Sequence, residues 1–433
     1  MRSRGATAAA LAAALWLVAA PAPARAQRQA EDESAALVEQ GRAALRDRAY
    51  DDAAEALDAA IAVNPRRIDA YVLRATIHAL RQEHAQGIAL LRKAQALAPD
   101  NLDVLAALGG QLVATGDAAQ AAEGAALLEK VVAREPARYA AQSQLGRHHA
   151  AVGRWADAVV ALEAYLAARP TSLAADDDVH QVHLAEAYLR TRRAVAARDL
   201  YDRVLAVRPR EPAARMGRAW ALAAIDCREA LPALARLADL VEAHPEVLLV
   251  EGQCELSTGD AARALALGER YLTAARRPAA TGWALVGEAA AATGDLERAR
   301  AALDEARALE PTRRRWGIKL ATVLRRAGDA AGGLAELERM GAPARAADDP
   351  AWWRELGEAL IAAGTPGDAA VRLAPGIAAL PDDAALRAIA GEAALRAGDV
   401  DGAIAQLEAA ERAGNTARSR AWLAYALERK AAA

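Results

Sequence analysis

The chain has 433 residues, a formal net charge of -3, two cysteines and no phenylalanine. That length admits two or three ordinary domains or one long repeat array, and the charge excludes a general pull toward nucleic acid or anionic membranes. Alanine makes up about three residues in ten, which favours helix. The preference for Arg over Lys carries no function by itself, because a GC-rich coding sequence produces the same bias.

Arg2 and Arg4 precede an apolar run from Ala6 to Ala20, followed by Pro21, Pro23 and the triplet Ala24-Arg25-Ala26. A positive start, a short apolar core and an A-x-A site predict a signal peptide spanning 1–26, cut after Ala26. The run is too short to cross a bilayer comfortably. No cysteine lies near the cleavage point, which argues against a lipid-anchored form. No later stretch is apolar enough for a membrane helix, so the mature chain is expected to be soluble, and periplasmic or secreted.

A polar lead, 27–33, precedes a helical-pair pattern over 34–417. The unit from Trp283 to Pro311 shows it best. Trp283, Val286, Gly287 and Ala290 fall on one face of a first helix, and Ala299, Leu303 and Ala306 on one face of a second. Gly294 suits the left-handed position after the first helix, Asp295 can cap the second, and Pro311 ends the unit.

Small residues anchor each first helix at Gly41, Ala75, Gly109, Gly146, Ala185, Ala219, Gly252, Gly287, Ala321, Gly357 and Gly391, most often 34 residues apart. Seven residues after the anchor comes Gly116, Gly153, Gly259, Gly294, Gly328, Gly364 or Gly398 in seven units, with Asp next in five of them. Twelve residues after it a small residue recurs (Ala53, Gly87, Ala158, Ala197, Ala299, Ala369, Ala403), where paired helices must approach closely. One such pair cannot bury its apolar faces alone, so the units must stack.

These residues resemble the tetratricopeptide repeat, whose 34-residue signature is W-x2-L-G-x2-Y, then A-x3-F-x2-A, then P. Trp353-Leu356-Gly357 matches the opening, and Ala53-Leu57-Ala60-Pro65 matches the close with Leu in place of Phe. Pro65, Pro99, Pro136, Pro170, Pro209, Pro311 and Pro381 supply the terminal proline. The resemblance implies an all-α, right-handed superhelical solenoid of about eleven helix-turn-helix repeats, with residues 418–433 as capping helix and tail. Three departures stand out: about three extra residues in the third repeat, about five near Leu173 to Asp177, and blurred repeats from Leu231 to Pro278. These are expected to mark bends.

The resemblance further implies a protein-binding scaffold, with a concave groove lined by the second, fifth, ninth, twelfth and thirteenth repeat positions. Carried over, those positions include Arg42, Arg46, Arg147, Glu186, Arg190, Trp220, Gln253, Glu288, Arg325, Arg326, Arg354, Glu358 and Arg396. A groove of small residues with interspersed Arg suits a partner segment bearing carboxylates; the solvated faces of an Arg-rich chain are the competing reading. Exported relatives imply a role in the cell envelope, either as an adaptor or as a structural spacer working through its outer faces. The basic cluster Arg313, Arg314, Arg315, Lys319, Arg325 and Arg326 opens a helix at its N-terminus, where cations oppose the dipole. It is read as a surface for an acidic peptide or a polyanionic glycan.

Signals for chemistry are weak. His180 and His183 follow Asp176, Asp177 and Asp178 at a spacing that can hold a metal, but an acidic helix start with solvated histidines explains them as well. No Gly-rich phosphate loop, strand pattern or nucleophile elbow occurs, so no catalytic residue, metal or cofactor is expected. Cys227 and Cys254 fall in adjacent repeats and can form a disulfide in an oxidising compartment.

Overall fold

The computed structural model describes residues 22–172, 177–414 and 416–432. The apolar core of the expected signal peptide lies outside them. The described chain is all-α, with twenty-three α-helices, two short 3-10 turns and no strand among the described residues. It divides into two compact units, 1–217 and 218–433, the boundary falling inside one helix.

In unit 1 the pairs are α1 (Ala22–Arg46) with α2 (Tyr50–Val63), α3 (Ile68–Leu80) with α4 (His84–Leu97), and α5 (Leu102–Ala114) with α6 (Ala118–Arg134). Next come α7 (Tyr139–Ala151) with α8 (Trp155–Ala168), then α9 (Asp178–Arg190) with α10 (Ala194–Val207). Helix α11 (Pro212–Ile225) carries the boundary and is followed by the short α12 (Cys227–Ala235). Unit 2 continues with α13 (Glu246–Thr258) and α14 (Ala261–Ala274), α15 (Ala280–Thr293) and α16 (Leu296–Leu309), and α17 (Arg314–Arg326) and α18 (Ala330–Met340). It ends with α19 (Pro350–Ala362) and α20 (Pro366–Ala379), α21 (Ala384–Arg396) and α22 (Val400–Gly414), and the single helix α23 (Ala417–Ala431). The expected count of eleven pairs and one further helix is therefore met. The polar lead 27–33 is not a separate segment; it is helical and continuous with the first repeat.

Close approach fixes each pair. A Cβ on Gly146 would sit 2.5 Å from Leu162 Cγ, and one on Gly391 would sit 2.5 Å from Leu407 Cγ. The small residues on the second helices, Ala53, Ala158, Ala197, Ala299, Ala369 and Ala403, are fully buried. The third pair shows what its extra residues do. They lengthen α6 to 17 residues, so that Gly124 rather than Ala121 meets Gly109, backbone against backbone. A Cβ on Gly124 would lie 2.5 Å from the Gly109 carbonyl oxygen. The five expected Asp caps are all made: Asp117, Asp260, Asp295, Asp329 and Asp399 accept from backbone N–H groups at 2.8 to 3.1 Å.

The blurred repeats have a local cause. Pro232 lies inside α12, which lasts only nine residues; a proline there removes a backbone donor and crowds the preceding turn. The chain passes through a 3-10 turn, Ala238–Leu240, before α13. Cys227 and Cys254 are joined by a disulfide, tying the start of α12 to α13. Helix α23 covers Leu395, Ala403 and Leu407 with Ala426 and the half-buried Trp422 and Leu423.

Candidate functional site

First helices carry the repeat positions assigned to a groove; Arg42, Arg147, Glu186, Gln253, Glu288, Arg325, Arg354 and Glu358 line open grooves, whereas Arg46, Arg190, Trp220, Arg326 and Arg396 line none of these. In unit 1 one groove of about 1020 Å³ runs over Asp69 and Val72 of α3, Ala106 and Ala107 of α5, and Ala140 and Gln144 of α7. A second, of about 1050 Å³, runs over Gly110 and Val113 of α5, Arg147 and Ala151 of α7, and His183 and Glu186 of α9. The extended helix α6 adds an alanine wall, Ala118, Ala121, Ala122 and Ala125. Short side chains on these faces leave space because packing against the second helices is done by the opposite side of each first helix.

Three polar handles face the second groove. Arg147 is exposed and has no ion-pair or hydrogen-bond partner among the described residues. Gln144 Oε1 and His183 Nδ1 are both buried from solvent and unpartnered. Burial, with Arg147 and His180 nearby, lowers the His183 pKa and keeps the imidazole neutral at pH 7. Gln144 is silent in the sequence, because a glutamine on an alanine-rich helix gives no pattern.

Unit 2 uses the same positions differently. Its grooves are smaller, about 380 Å³ around Gln253, Glu288 and Lys319 and about 450 Å³ around Arg325, Glu355 and Glu358. Its cations are paired from repeat to repeat. Lys319 meets Glu288 at 2.5 Å, Arg325 lies bidentate on Glu355 at 2.7 and 3.3 Å, and Arg354 lies bidentate on Asp383. Arg396 binds Glu392 and stacks over Trp422.

The basic cluster expected as a free anionic-partner surface is largely used within the chain. Arg314 donates to Asp349 at 2.9 Å and to the carbonyls of Met340 and Gly341, and it crosses the Trp352 ring. It fastens one repeat to the next, a role that the helix-dipole argument could not reveal. Arg325 is taken by Glu355, and Arg326 donates to the Ala291 carbonyl. Arg313 pairs with Glu310, and Arg315 lies 3.9 Å from the Trp316 ring centroid; these two remain exposed.

Elsewhere, Arg42 is loosely held by Glu39 and Asp69, and Arg190 by Glu186 and the Trp155 ring. Arg46 is exposed in the last turn of α1. Trp220 is half-buried and its Nε1–H finds no acceptor.

The His180 region forms a chain that spacing alone does not suggest. His180 Nδ1 lies 2.7 Å from the buried Asp177 carboxylate and Nε2 lies 2.7 Å from Ser143 Oγ. The atoms match a Ser-His-Asp relay, yet two features oppose nucleophilic chemistry. Ser143 sits inside α7, where backbone N–H groups are consumed by the helix and cannot form an oxyanion hole. Asp177 is also an ion pair with Arg169 at 2.5 Å and accepts from Tyr165 Oη at 2.9 Å, so its carboxylate is shared among three partners rather than dedicated to His180. Burial and that hydrogen bond push the Tyr165 pKa up to about 12, so the phenol stays a donor. The relay therefore clasps α9 to α7 and α8. Both His180 nitrogens are occupied, which removes the ligand that a His180/His183 metal site would need. Among the described residues no group of three His, Cys, Asp or Glu side chains is placed to hold a metal, and no helix is long and apolar enough to cross a membrane.

Comparison with protein families matches the tetratricopeptide repeat at residues 38–101, 221–280 and 354–418. No curated protein matches in sequence. Similar solved structures include yeast Tom70, 13% identical with a TM-score of 0.45 over 93% of this chain and 96% of that one. The Cut9–Hcn1 hetero-tetramer of the APC/C is 13% identical with a TM-score of 0.40 over 91% and 96%. A tetratricopeptide repeat protein from Parabacteroides merdae is 14% identical with a TM-score of 0.35 over 68% and 99%.

Proposed function

Because this chain is a tetratricopeptide repeat protein, built from eleven stacked helix pairs, we propose that it is a non-enzymatic binding scaffold whose receptor surface is the first-helix face of unit 1. One observation carries the reading: the small-residue grooves there combine free volume with the unpaired Arg147. Apolar floor area supplies affinity, and a guanidinium without an internal partner can receive a carboxylate from a bound protein segment and fix its register. Trp155 and the alanine wall suit a helical or extended segment with small apolar side chains.

Export completes the proposal. The N-terminal pattern of Arg2, Arg4, the apolar run and Ala24-Arg25-Ala26 supports secretion through the inner membrane, and the Cys227–Cys254 bond suits an oxidising compartment. The scaffold would then serve the cell envelope. Export is tested by the mass of the mature N-terminal peptide: a start at Gln27 supports it, and retention of residues 1–26 overturns it.

The receptor reading is tested by placing a photoreactive side chain at Ala122 or Ala151, which line the second groove beside Arg147, and at Val160, which is 68% exposed on a second helix. A discrete adduct from the groove positions that is lost on Arg147→Glu supports it. Adducts from Val160 alone would favour a spacer working through its outer faces.

A further inference from the structure

Unit 2 contains a carboxylate pair filled by a cation from outside the eleven repeats. Glu358 stands on α19 and Glu392 on α21, the first helices of neighbouring pairs. Arg418, in the opening turn of α23, donates Nη1 to Glu358 and Nε and Nη2 to Glu392 Oε2 at 3.0 and 2.5 Å. Glu392 is only 5% exposed; Arg396 of its own helix holds Oε1, and Oε2 is left to Arg418. Glu355, one turn from Glu358, holds Arg325 through both of its oxygens. Two neighbouring seats on this face are thus both shaped to guanidinium.

Much of helix α23 stays exposed around that contact. Only Ser419 and Ala426 of its fifteen residues are buried, while Tyr425 and Leu427 are each 48% exposed. Its other polar ties to the last repeat are Ser419 Oγ–H to Glu411, the Trp422 ring under Arg396, and the exposed pair Lys430–Asp401, the last of a kind that contributes little and weakens with salt. Arg418 occupies the first turn, where a positive charge opposes the helix dipole. Its position is explained by the carboxylates it reaches rather than by the helix it opens. Beside it the groove of about 450 Å³ continues over Ala351 and Ala385, which α23 leaves accessible.

We propose that Glu358 and Glu392 form an arginine clamp for a helical segment of a partner protein, and that α23 is the resident competitor, bound in cis through Arg418. The partner segment carries an arginine in its first turn and small apolar side chains that cover Ala351 and Ala385. Charge sets this choice: the seat presents two carboxylates, so an acidic segment is excluded from it. The clamp is independent of the unit 1 receptor reading, whose unpaired charge has the opposite sign.

The probe is a fluorescein-labelled, N-acetylated peptide of residues 416–432, with its Arg418→Gln counterpart, read by anisotropy. A chain ending at Gly414 is expected to bind the arginine peptide at least tenfold more tightly than the glutamine peptide. Glu358→Gln with Glu392→Gln in that chain should abolish the difference, and the intact chain should exclude both peptides. Equal binding of the two peptides overturns the clamp. Should the shortened chain lose its helical circular dichroism, the full-length Arg418→Gln variant decides: a tenfold gain in peptide uptake over the parent supports displacement, and no gain overturns it.

Discussion

The two units place the same repeat positions on their first-helix faces and fill them in opposite ways. In unit 1 the face is Ala- and Gly-rich, its two grooves each exceed 1000 Å³, and Arg147 is left without a partner among the described residues. In unit 2 the grooves are less than half that size, and cations cross from one repeat to carboxylates on a neighbour, as Arg325 does to Glu355 and Arg354 to Asp383. A cation at a groove position is therefore not yet a binding residue. What decides its use is whether the adjacent repeat supplies a carboxylate within reach.

The largest expected difference between the units concerns covalent bracing. Unit 2 has a disulfide closing a loop between residues 27 apart; unit 1 has no cysteine. Loop-closure entropy for that length is worth about 3.5 kcal/mol. All eight tryptophans except Trp16 and Trp155 lie in unit 2, so tryptophan fluorescence mainly reports that unit. Reductant should lower the fluorescence-detected denaturation midpoint more than the far-UV circular dichroism midpoint. Equal shifts would mean that the bond braces both units alike.

Unit 1 depends instead on backbone approach. Gly124→Val would force a side chain against the Gly109 carbonyl, which cannot rotate away. Overpacking of this kind should cost about 3 kcal/mol, lowering the circular dichroism midpoint. Retention of the parent midpoint would show that α5 and α6 do not pack as described.

Next in size is a pair of variants that should exchange phenotypes. Glu355→Ala leaves Arg325, itself mostly buried, without its carboxylate. The cost is about 2 kcal/mol, below the range for fully buried pairs because one edge of the site is open to water. Partner capture in unit 1 should be unaffected. Arg147→Glu breaks no ion pair among the described residues and should change stability by less than about 0.5 kcal/mol, yet should remove the photo-adduct at Ala151. If Arg147→Glu destabilised the chain as Glu355→Ala does, the contrast between the two faces would fail.

The repeat architecture is legible in the sequence because it follows from local rules that recur: small residues where helices meet, Gly and Asp at the turn, Pro two residues past the second helix. The charge network is not legible. Asp349 and Arg314 are 35 residues apart, and Glu358 and Arg418 are 60 apart; such partners become neighbours only when repeats stack, and the register of long side chains is not written in a 34-residue pattern. The Ser143–His180–Asp177 clasp is hidden for the same reason, since Ser143 and His180 stand on different helices.

The smallest expected effect lies at the turn inside each pair. Glycine marks the left-handed residue seven positions after the anchor in seven units, and all seven of those glycines do have positive φ. The turn also forms where glycine is absent. Arg48, Gln82 and Arg192 occupy that position with φ of 59, 61 and 62°, and all three lie in unit 1. Stacking and the turn hydrogen bonds, such as Ala49 N–H to the Ala44 carbonyl at 2.9 Å, impose a conformation that an L-residue with a Cβ resists. Unit 2 meets the demand with Gly259, Gly294, Gly328, Gly364 and Gly398. Arg48→Gly, Gln82→Gly and Arg192→Gly should therefore each stabilise by about 0.5 to 1 kcal/mol, after the entropy of the freer unfolded chain is set against the relieved strain. The three turns are separate, so the gains should add to roughly 2 kcal/mol in the triple variant, read as a raised circular dichroism midpoint with little change in tryptophan fluorescence. Gly259→Ala should move unit 2 the other way by about 1 kcal/mol. Open space surrounds that glycine, so the loss can come only from the backbone angle. If the triple variant were no more stable than the parent, the strain assigned to unit 1 would be absent, and the two units would differ in their faces and their disulfide alone.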